Sequence, residues 1–374
     1  MLLDRIRDEI RSAGPMPFAR FMELALYDPD GGYYRSADAR PGRGGDFITA
    51  PELHPIFGEL LARAVEDAWS VLGRPEPFVV VEHGAGEGAL AVPLVRALPP
   101  AVGYHAVDVD ERRIAALRGR LTDAGLGERL LDRLPGGRFD GVIVANEVLD
   151  ALPVHRLRRR GATLREVAVD VAADGSLLEI EVDPTTSALA ERLAAEGVEL
   201  VDGQTAEIAL GIDAWLRDAV APLRRGLVVL IDYGARAAEL YDPVRRLDGT
   251  LQGYVRHRLS DDPYRFVGRQ DLTAHVDVTA VERAAEAAGL QTLGITTQAE
   301  ALMGLGVEER LREVQADPAT TMEAYTLLRA GLMRLLDPAA MGRFRVMVFG
   351  RGWPSDTTPR LLQYRLDPRG VRAD

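Results

Sequence analysis

Apolar positions along the chain follow two periods. Between Pro51 and Gly73, Phe57, Leu60, Leu61, Ala64, Val65, Ala68 and Trp69 recur at helical spacing, which predicts one helix ended by Gly73 and Pro75. FVVVE at 78–82 is an unbroken β-branched run, as a buried parallel strand would be. A glycine turn and the apolar segment LAVPLVRAL follow, then a predicted strand YHAVDVD (104–110) and a predicted helix ERRIAALRGRL. FDGVIVANE (139–147) and GLVVLIDYG (226–234) read as two more strands. This alternation predicts an α/β fold, a mostly parallel sheet with crossover helices on both faces. Between the last two strands, REVAVDVAADGSLLEIEV (165–182) alternates apolar and polar residues on both sides of AADG, a hairpin signal. Near the C-terminus, Thr279 and Glu282 read as a capping box opening a helix closed by Gly289. A helical stretch at about 308–336 and a strand FRVMVFG (344–350) follow.

These patterns divide the chain into an N-terminal lobe (1–74), a core (75–352) with insertions at about 155–222 and 235–277, and a peripheral tail (353–374). The lobe begins with an amphipathic MLLDRIRDEIRSAGP and contains two turn-rich stretches, DPDGGYY (28–34) and ARPGRGGDF (39–47). Its acids Asp4, Asp8 and Glu9 argue against a transit peptide, and no run reaches the roughly 18 apolar residues of a membrane span. The expectation is a cytoplasmic protein.

Composition narrows the chemistry. The chain has 374 residues, 47% hydrophobic and 27% charged, with a net charge of −12. That charge argues against generic binding to a nucleic-acid backbone. All 45 basic residues are arginine. The absence of lysine removes Schiff-base chemistry and the P-loop lysine. The absence of cysteine removes thiolate zinc sites and thiol nucleophiles, and six scattered histidines without an HExxH pair argue against a zinc hydrolase. No metal is expected.

The loop after the first strand is EHGAGEGA (82–89), in which Gly84, Gly86 and Gly88 allow a sharp turn and a close backbone approach to a ligand. Gly84, Gly86 and Ala89 also satisfy a dinucleotide fingerprint. Glu82 just before the glycines would repel a pyrophosphate but suits S-adenosylmethionine (SAM), which is cationic at its ammonium and sulfonium groups. Asp108, ending the second strand, is placed to accept hydrogen bonds from ribose hydroxyls of either cofactor, and Asp110 is a weaker candidate.

Several further runs resemble the MidA-like methyltransferase family. They are FMELALYDPDGGYY (21–34), GDFITAPELHPIFGELL (45–61), VVVEHGAGEGALA (79–91), ANEVLDALPVHRL (145–157), LIDYG (230–234), GTL with downstream His257 (249–257), GRQDLTAHVDVTAV (268–281), TQAEALMGLG (297–306) and MGRFRVMVFGRG (341–352). The resemblance implies a class I SAM-dependent methyltransferase, with a Rossmann-like core, a family-specific N-terminal lobe and insertions. A mitochondrial relative dimethylates an arginine of a respiratory complex I subunit. The resemblance therefore implies arginine N-methylation of a protein, with a respiratory-complex subunit as the candidate partner. Two positions depart from the family: His54-Pro55 stands where Ser-Gln is usual, and Asp108 where glutamate is usual. A small-molecule methyltransferase and a SAM-binding assembly factor with little turnover stay open as alternatives.

Methyl transfer to a guanidinium asks for carboxylates that clamp it and accept a proton. Asn146, Glu147 and Asp150 follow the strand ending VIVAN. Asn146 is read as a cofactor contact, Glu147 as a substrate or sulfonium contact and Asp150 as its neighbour, or as a turn former before Pro153. Asp46 in GDFITAPE is read as facing substrate. Thr49 is a cofactor candidate that, with Glu52, also reads as a capping box. Asp232 and Tyr233 end the strand GLVVLIDYG at the edge facing the crevice, where an active-site role and a hydrogen-bonded Asp-Tyr-Gly turn are both open. His257 is a candidate proton acceptor, with His275, Asp271 and Asp277 nearby in sequence, and Asp277 also reads as serving the helix that begins near Val278. The basic run RLRRRG (156–161) reads as a solvated loop.

Overall fold

Phe78, Val79, Val80 and Val81 are all buried, as a strand covered on both faces must be. The computed structural model describes residues 1–36, 48–255 and 258–366. The chain divides into two compact units. One comprises Thr49–Val148, Arg217–Tyr233 and Ala285–Asp374; the other comprises Met1–Ile48, Leu149–Leu216 and Gly234–Ala284.

The first of these units is built on six strands: β1 (Phe78–His83), β2 (Val102–Val107), β3 (Phe139–Asn146), β4 (Leu223–Asp232), β5 (Gln291–Thr297) and β6 (Arg345–Arg351). Their order is β5-β6-β4-β3-β1-β2. β1 pairs in parallel with β2 and β3, and β3 with β4, whereas β6 runs antiparallel to β4 and β5. This is the α/β sheet that the alternating pattern predicts. Four helices matter for the site: α1 (Ala50–Leu53), α2 (Ile56–Val71), α3 (Ala91–Ala97) and α4 (Glu111–Asp123). On α2, Ile56, Phe57, Leu60, Leu61, Ala64, Val65 and Ala68 are buried, each large one contributing about 1.5–3 kcal/mol.

Two sequence-based helices are broken by proline. The span read as one helix over 51–73 is α1 and α2, separated at His54-Pro55. The residue before a proline is driven from the α region, and His54 sits at φ −163°, ψ 142°. Its Nδ1 then accepts the Ile56 N–H (3.1 Å), capping α2. Likewise the stretch at 308–336 is two helices, Val307–Ala316 and Met322–Leu336, with Asp317 extended before Pro318. Of the two readings of the next helix start, the one through Asp277 holds. Asp277, not Thr279, caps the helix Val278–Ala287, accepting the N–H groups of Thr279 and Ala280 (2.9 and 3.1 Å). Thr279 Oγ1 instead accepts from Ala237, and Glu282 pairs with Arg236.

The other unit is largely antiparallel. The 165–182 hairpin forms as Thr163–Val171 paired with Leu177–Val182. The basic run, read as a solvated loop, is a strand, His155–Arg160, in the same sheet. Its period of two explains the difference: Arg156 bonds to Glu179, and Arg158 and Arg160 bond to Glu181, while Leu157 is buried. A core of Ile6, Ile10, Phe18, Phe21, Met22 and Leu26 draws on the amphipathic N-terminus, whose helix spans Leu2–Ala13.

Strand β4 begins three residues earlier than its apolar run because Arg224 and Arg225 have a partner. The Asp140 side chain is buried and accepts from Arg224 Nε (2.6 Å) and Arg225 Nη2 (2.7 Å), which lowers its pKa from the ordinary aspartate value. Both arginines are substantially exposed, so solvent screens the pair. A carboxyl whose folded value is depressed stabilises above its unfolded value and loses that contribution as pH falls. Asp140→Asn should therefore destabilise by about 1–3 kcal/mol near pH 7 in denaturant unfolding, and the deficit should shrink as the pH is lowered below about 4. A deficit independent of pH would contradict this account.

Candidate active site

The chain leaves β1 for β2 on one side, then returns to place β3 on the other. At such a reversal the loops after the two central strands diverge and open a crevice at the carboxyl ends, where α/β sheets bind ligands. β1 ends at His83 and enters the glycine loop; β3 ends at Asn146 and enters Glu147.

All three glycines are left-handed, with φ of +68° at Gly84, +53° at Gly86 and +89° at Gly88. Their surroundings differ. A Cβ on Gly84 would meet Val148 Cγ2 at 2.5 Å, and one on Gly88 would meet Leu117 Cγ at 3.0 Å. Among the described residues nothing lies within 4 Å of a Cβ on Gly86, so they leave space open before the loop's middle. The Gly86 N–H is held by Asp108 Oδ2 (2.8 Å), and Asp108 Oδ1 accepts from the Asp110 N–H (3.0 Å). Asp110 itself caps α4 through the Arg112 N–H (3.0 Å). Of the two acids ending the second strand, Asp108 thus holds the loop and Asp110 the helix.

Glu82 is buried and accepts from the Tyr104 hydroxyl at 2.6 Å. Burial lifts its pKa from an ordinary 4.5 to about 8, with Asp108 adding to the rise and the tyrosine bond opposing it. At neutral pH this acid holds its proton. His83, which sequence reasoning passed over, is pushed down to about 4, mainly by burial, so its ring is neutral. Neither Tyr104 nor His83 carries a motif of its own; their positions on adjoining strands are the signal.

At the end of β3, Glu147 is held at φ +54°, a left-handed conformation uncommon outside glycine. Its N–H donates to Ile231 O (2.8 Å), and its Oε1 accepts from Asn146 Nδ2 (2.9 Å) and the Ala50 N–H (3.3 Å). The next N–H, of Val148, donates to Asp232 Oδ2 (3.2 Å), whose Oδ1 takes the Tyr233 N–H (2.9 Å). Asn146 Oδ1 is buried with no hydrogen-bond partner among the described residues.

One unit thus brings together Glu82, Gly84, Gly86, Gly88, Asp108, Asn146, Glu147, Asp232 and Thr49. Thr49 forms the capping box with Glu52, whose Oε2 accepts the Thr49 N–H (3.0 Å). Asp150 falls in the other unit, where it is buried and its carbonyl accepts the Ala274 N–H (2.9 Å). In that unit Asp271 accepts from the Tyr34 hydroxyl (2.9 Å), and the His275 N–H donates to Thr250 Oγ1 (3.1 Å). Asp46 and His257 lie outside the described residues.

The residues present fit a cationic nucleoside cofactor. Open space before Gly86 admits a close approach, Asp108 retains acceptor lone pairs beyond its two amide bonds, and Asn146 Oδ1 lacks a donor.

Comparison with known proteins agrees. Residues 60–296 match the model of a family described as S-adenosyl-L-methionine-dependent methyltransferases. The chain is 29% identical to the mitochondrial protein arginine methyltransferase NDUFAF7 homolog of Drosophila melanogaster, covering 94% of this chain and 85% of that protein. It is 28% identical to the mitochondrial protein arginine methyltransferase NDUFAF7 of Homo sapiens, covering 91% and 82%. A Burkholderia thailandensis protein solved with bound S-adenosyl-homocysteine is 36% identical, with TM-score 0.88 over 97% of this chain and 94% of that one. The cofactor is therefore SAM, and the Rossmann-like class I methyltransferase fold stands. The expectation of a cytoplasmic protein is overturned, because the curated relatives are mitochondrial. Among the described residues no helix is long and apolar enough to cross a membrane.

Because the raised pKa keeps a proton on folded Glu82 between about 4.5 and about 8, wild-type stability declines as pH rises through that window. Glutamine keeps an acceptor for Tyr104 and never ionises. Glu82→Gln should therefore gain on wild type by more than roughly 1 kcal/mol between about pH 5 and pH 9 in urea unfolding. A flat difference would place Glu82 in water instead.

Proposed function

We propose that this chain, which belongs to the S-adenosyl-L-methionine-dependent methyltransferase family whose model spans residues 60–296, methylates the guanidinium of an arginine side chain in a protein. The observation that carries the reading is the run of curated relatives, each named a protein arginine methyltransferase and each aligned over about nine-tenths of this chain. The finer reading, a respiratory-complex subunit as acceptor, rests on the family resemblance.

SAM supplies a methyl group already activated by sulfonium. One guanidinium nitrogen forms the new N–C bond as the C–S bond breaks, and that nitrogen then sheds a proton. The chain's part is placement and charge. In this reading the Gly84–Gly88 backbone lies along the cofactor and Asp108 takes the ribose hydroxyls. Asp232 and Glu147, at the ends of neighbouring strands, supply the negative charge that suits the acceptor, and Asp46, Asp150 and His257 are the further candidates that the sequence offers for its proton. Carboxylates suit a guanidinium because they bind it in paired hydrogen bonds and stabilise its charge. The His54-Pro55 departure, which keeps the small-molecule alternative open, has a local role here: Pro55 separates α1 from α2 and His54 caps α2.

Isotope-labelled SAM and the purified protein, added to lysate from cells lacking the gene, should place label on arginine in a protein, located by peptide mapping. Gly86→Val fills the open space before the loop and adds a β-branched side chain where φ is +53°. It should abolish both the labelling and SAM binding by calorimetry. Label confined to small molecules would overturn the protein acceptor.

A further inference from the structure

We infer that Glu147 is a positioning residue: its carboxylate locks the Asn146 amide so that Oδ1 is the atom offered to the α-ammonium group of the bound cofactor. This deepens the cofactor reading above and rests on it.

A carboxylate can only accept hydrogen bonds, whereas an amide has a donor end and an acceptor end. With Glu147 Oε1 at 2.9 Å, the Asn146 amide must turn its nitrogen toward Glu147. The reverse orientation would set oxygen against oxygen. Oδ1 is thereby directed elsewhere, and there it is buried without a partner among the described residues. Such an acceptor, at the end of a central strand beside the sheet's reversal point, calls for a donor that no described residue provides. An ammonium group meets that need best. It has three donors, and its charge is favoured by the carboxylate one residue away.

Glu147 is itself fixed tightly enough to do this. Left-handed backbone at a non-glycine residue persists where surrounding contacts over-determine it. Here the Glu147 N–H is tied to β4 through Ile231 O, the Val148 N–H to Asp232 Oδ2, and the carboxylate to the Ala50 N–H at the start of α1. Backbone contacts hold the turn, the Ala50 N–H holds the carboxylate, and the carboxylate holds the amide.

The test compares two ligands. S-adenosylhomocysteine carries the α-ammonium; 5′-deoxy-5′-methylthioadenosine keeps the nucleoside and lacks it. Asn146→Ala, which removes the acceptor, and Glu147→Ala, which frees the amide to turn, should each weaken S-adenosylhomocysteine binding about tenfold or more by calorimetry, since a hydrogen bond to a charged group is lost. Both should leave methylthioadenosine binding unchanged. In the double variant the effects should not add, because both act through one oxygen. Wild-type affinity for S-adenosylhomocysteine in either single variant would overturn the assignment, as would equal losses for both ligands or additive losses. Absence of binding by the wild-type protein to either ligand would instead overturn the cofactor reading, and this assignment with it.

Discussion

The close approach of Gly84 to Val148 sets the geometry on which the site depends. A Cβ at residue 84 would stand 2.5 Å from Val148 Cγ2, so the loop leaving β1 and the segment leaving β3 are packed against each other. That contact makes the two strands flanking the sheet's reversal end at a common place. The left-handed turn at Gly84 sends the chain on to Gly86, where space is open and Asp108 holds the backbone from the end of β2. Val148, pressed from one side by the glycine loop, is held on the other by Asp232 at the end of β4. Four strand ends are thus linked through one backbone contact and two carboxylates.

Much of this arrangement is legible in the sequence, because the interactions that create it are local. β-branched runs specify buried strands, three closely spaced glycines specify a left-handed loop, and an acid about 20 residues on specifies the end of the second strand. Misreadings arise where a local pattern has two outcomes. Apolar spacing continues through His54-Pro55 and Asp317-Pro318, but a proline removes a donor and constrains the residue before it, so each helix divides. RLRRRG looks like solvated charge until acids two strands away neutralise it, and those acids are known from the fold alone. Thr279 and Glu282 match a capping box, yet Asp277 stands closer to the first turn and takes both amides.

The site divides along the same line. The glycines and Asp108 are recognisable because the motif is contiguous or nearly so. The partnership of Glu82 with Tyr104 depends on the pairing of β1 with β2, and the orientation of the Asn146 amide depends on a left-handed Glu147 held by β4 and α1. No spacing rule encodes either. Asp150 is three residues past Glu147 and folds with the other unit, because the chain passes from one to the other between Val148 and Leu149.

A chain whose basic residues are all arginine has one rigid, permanently charged fork with which to hold buried acids, and it uses that fork unevenly. At the amino end of the sheet Asp140 is held by Arg224 and Arg225, and its pKa falls. At the carboxyl end Glu82 is held by a tyrosine hydroxyl and Asp108 by backbone amides, donors without net charge. Neutral donors orient a carboxyl without supplying a countercharge, and burial, with Asp108 adding, raises Glu82 to about 8. An acid raised by burial is returned toward its ionised form by a positive charge brought within reach. SAM carries two such charges, and its electrophilic carbon needs no metal, thiolate or lysine from the protein. The composition that excludes those chemistries and the electrostatics of the strand ends thus point to the same ligand: a cation arriving where the fold has left acids held by neutral groups.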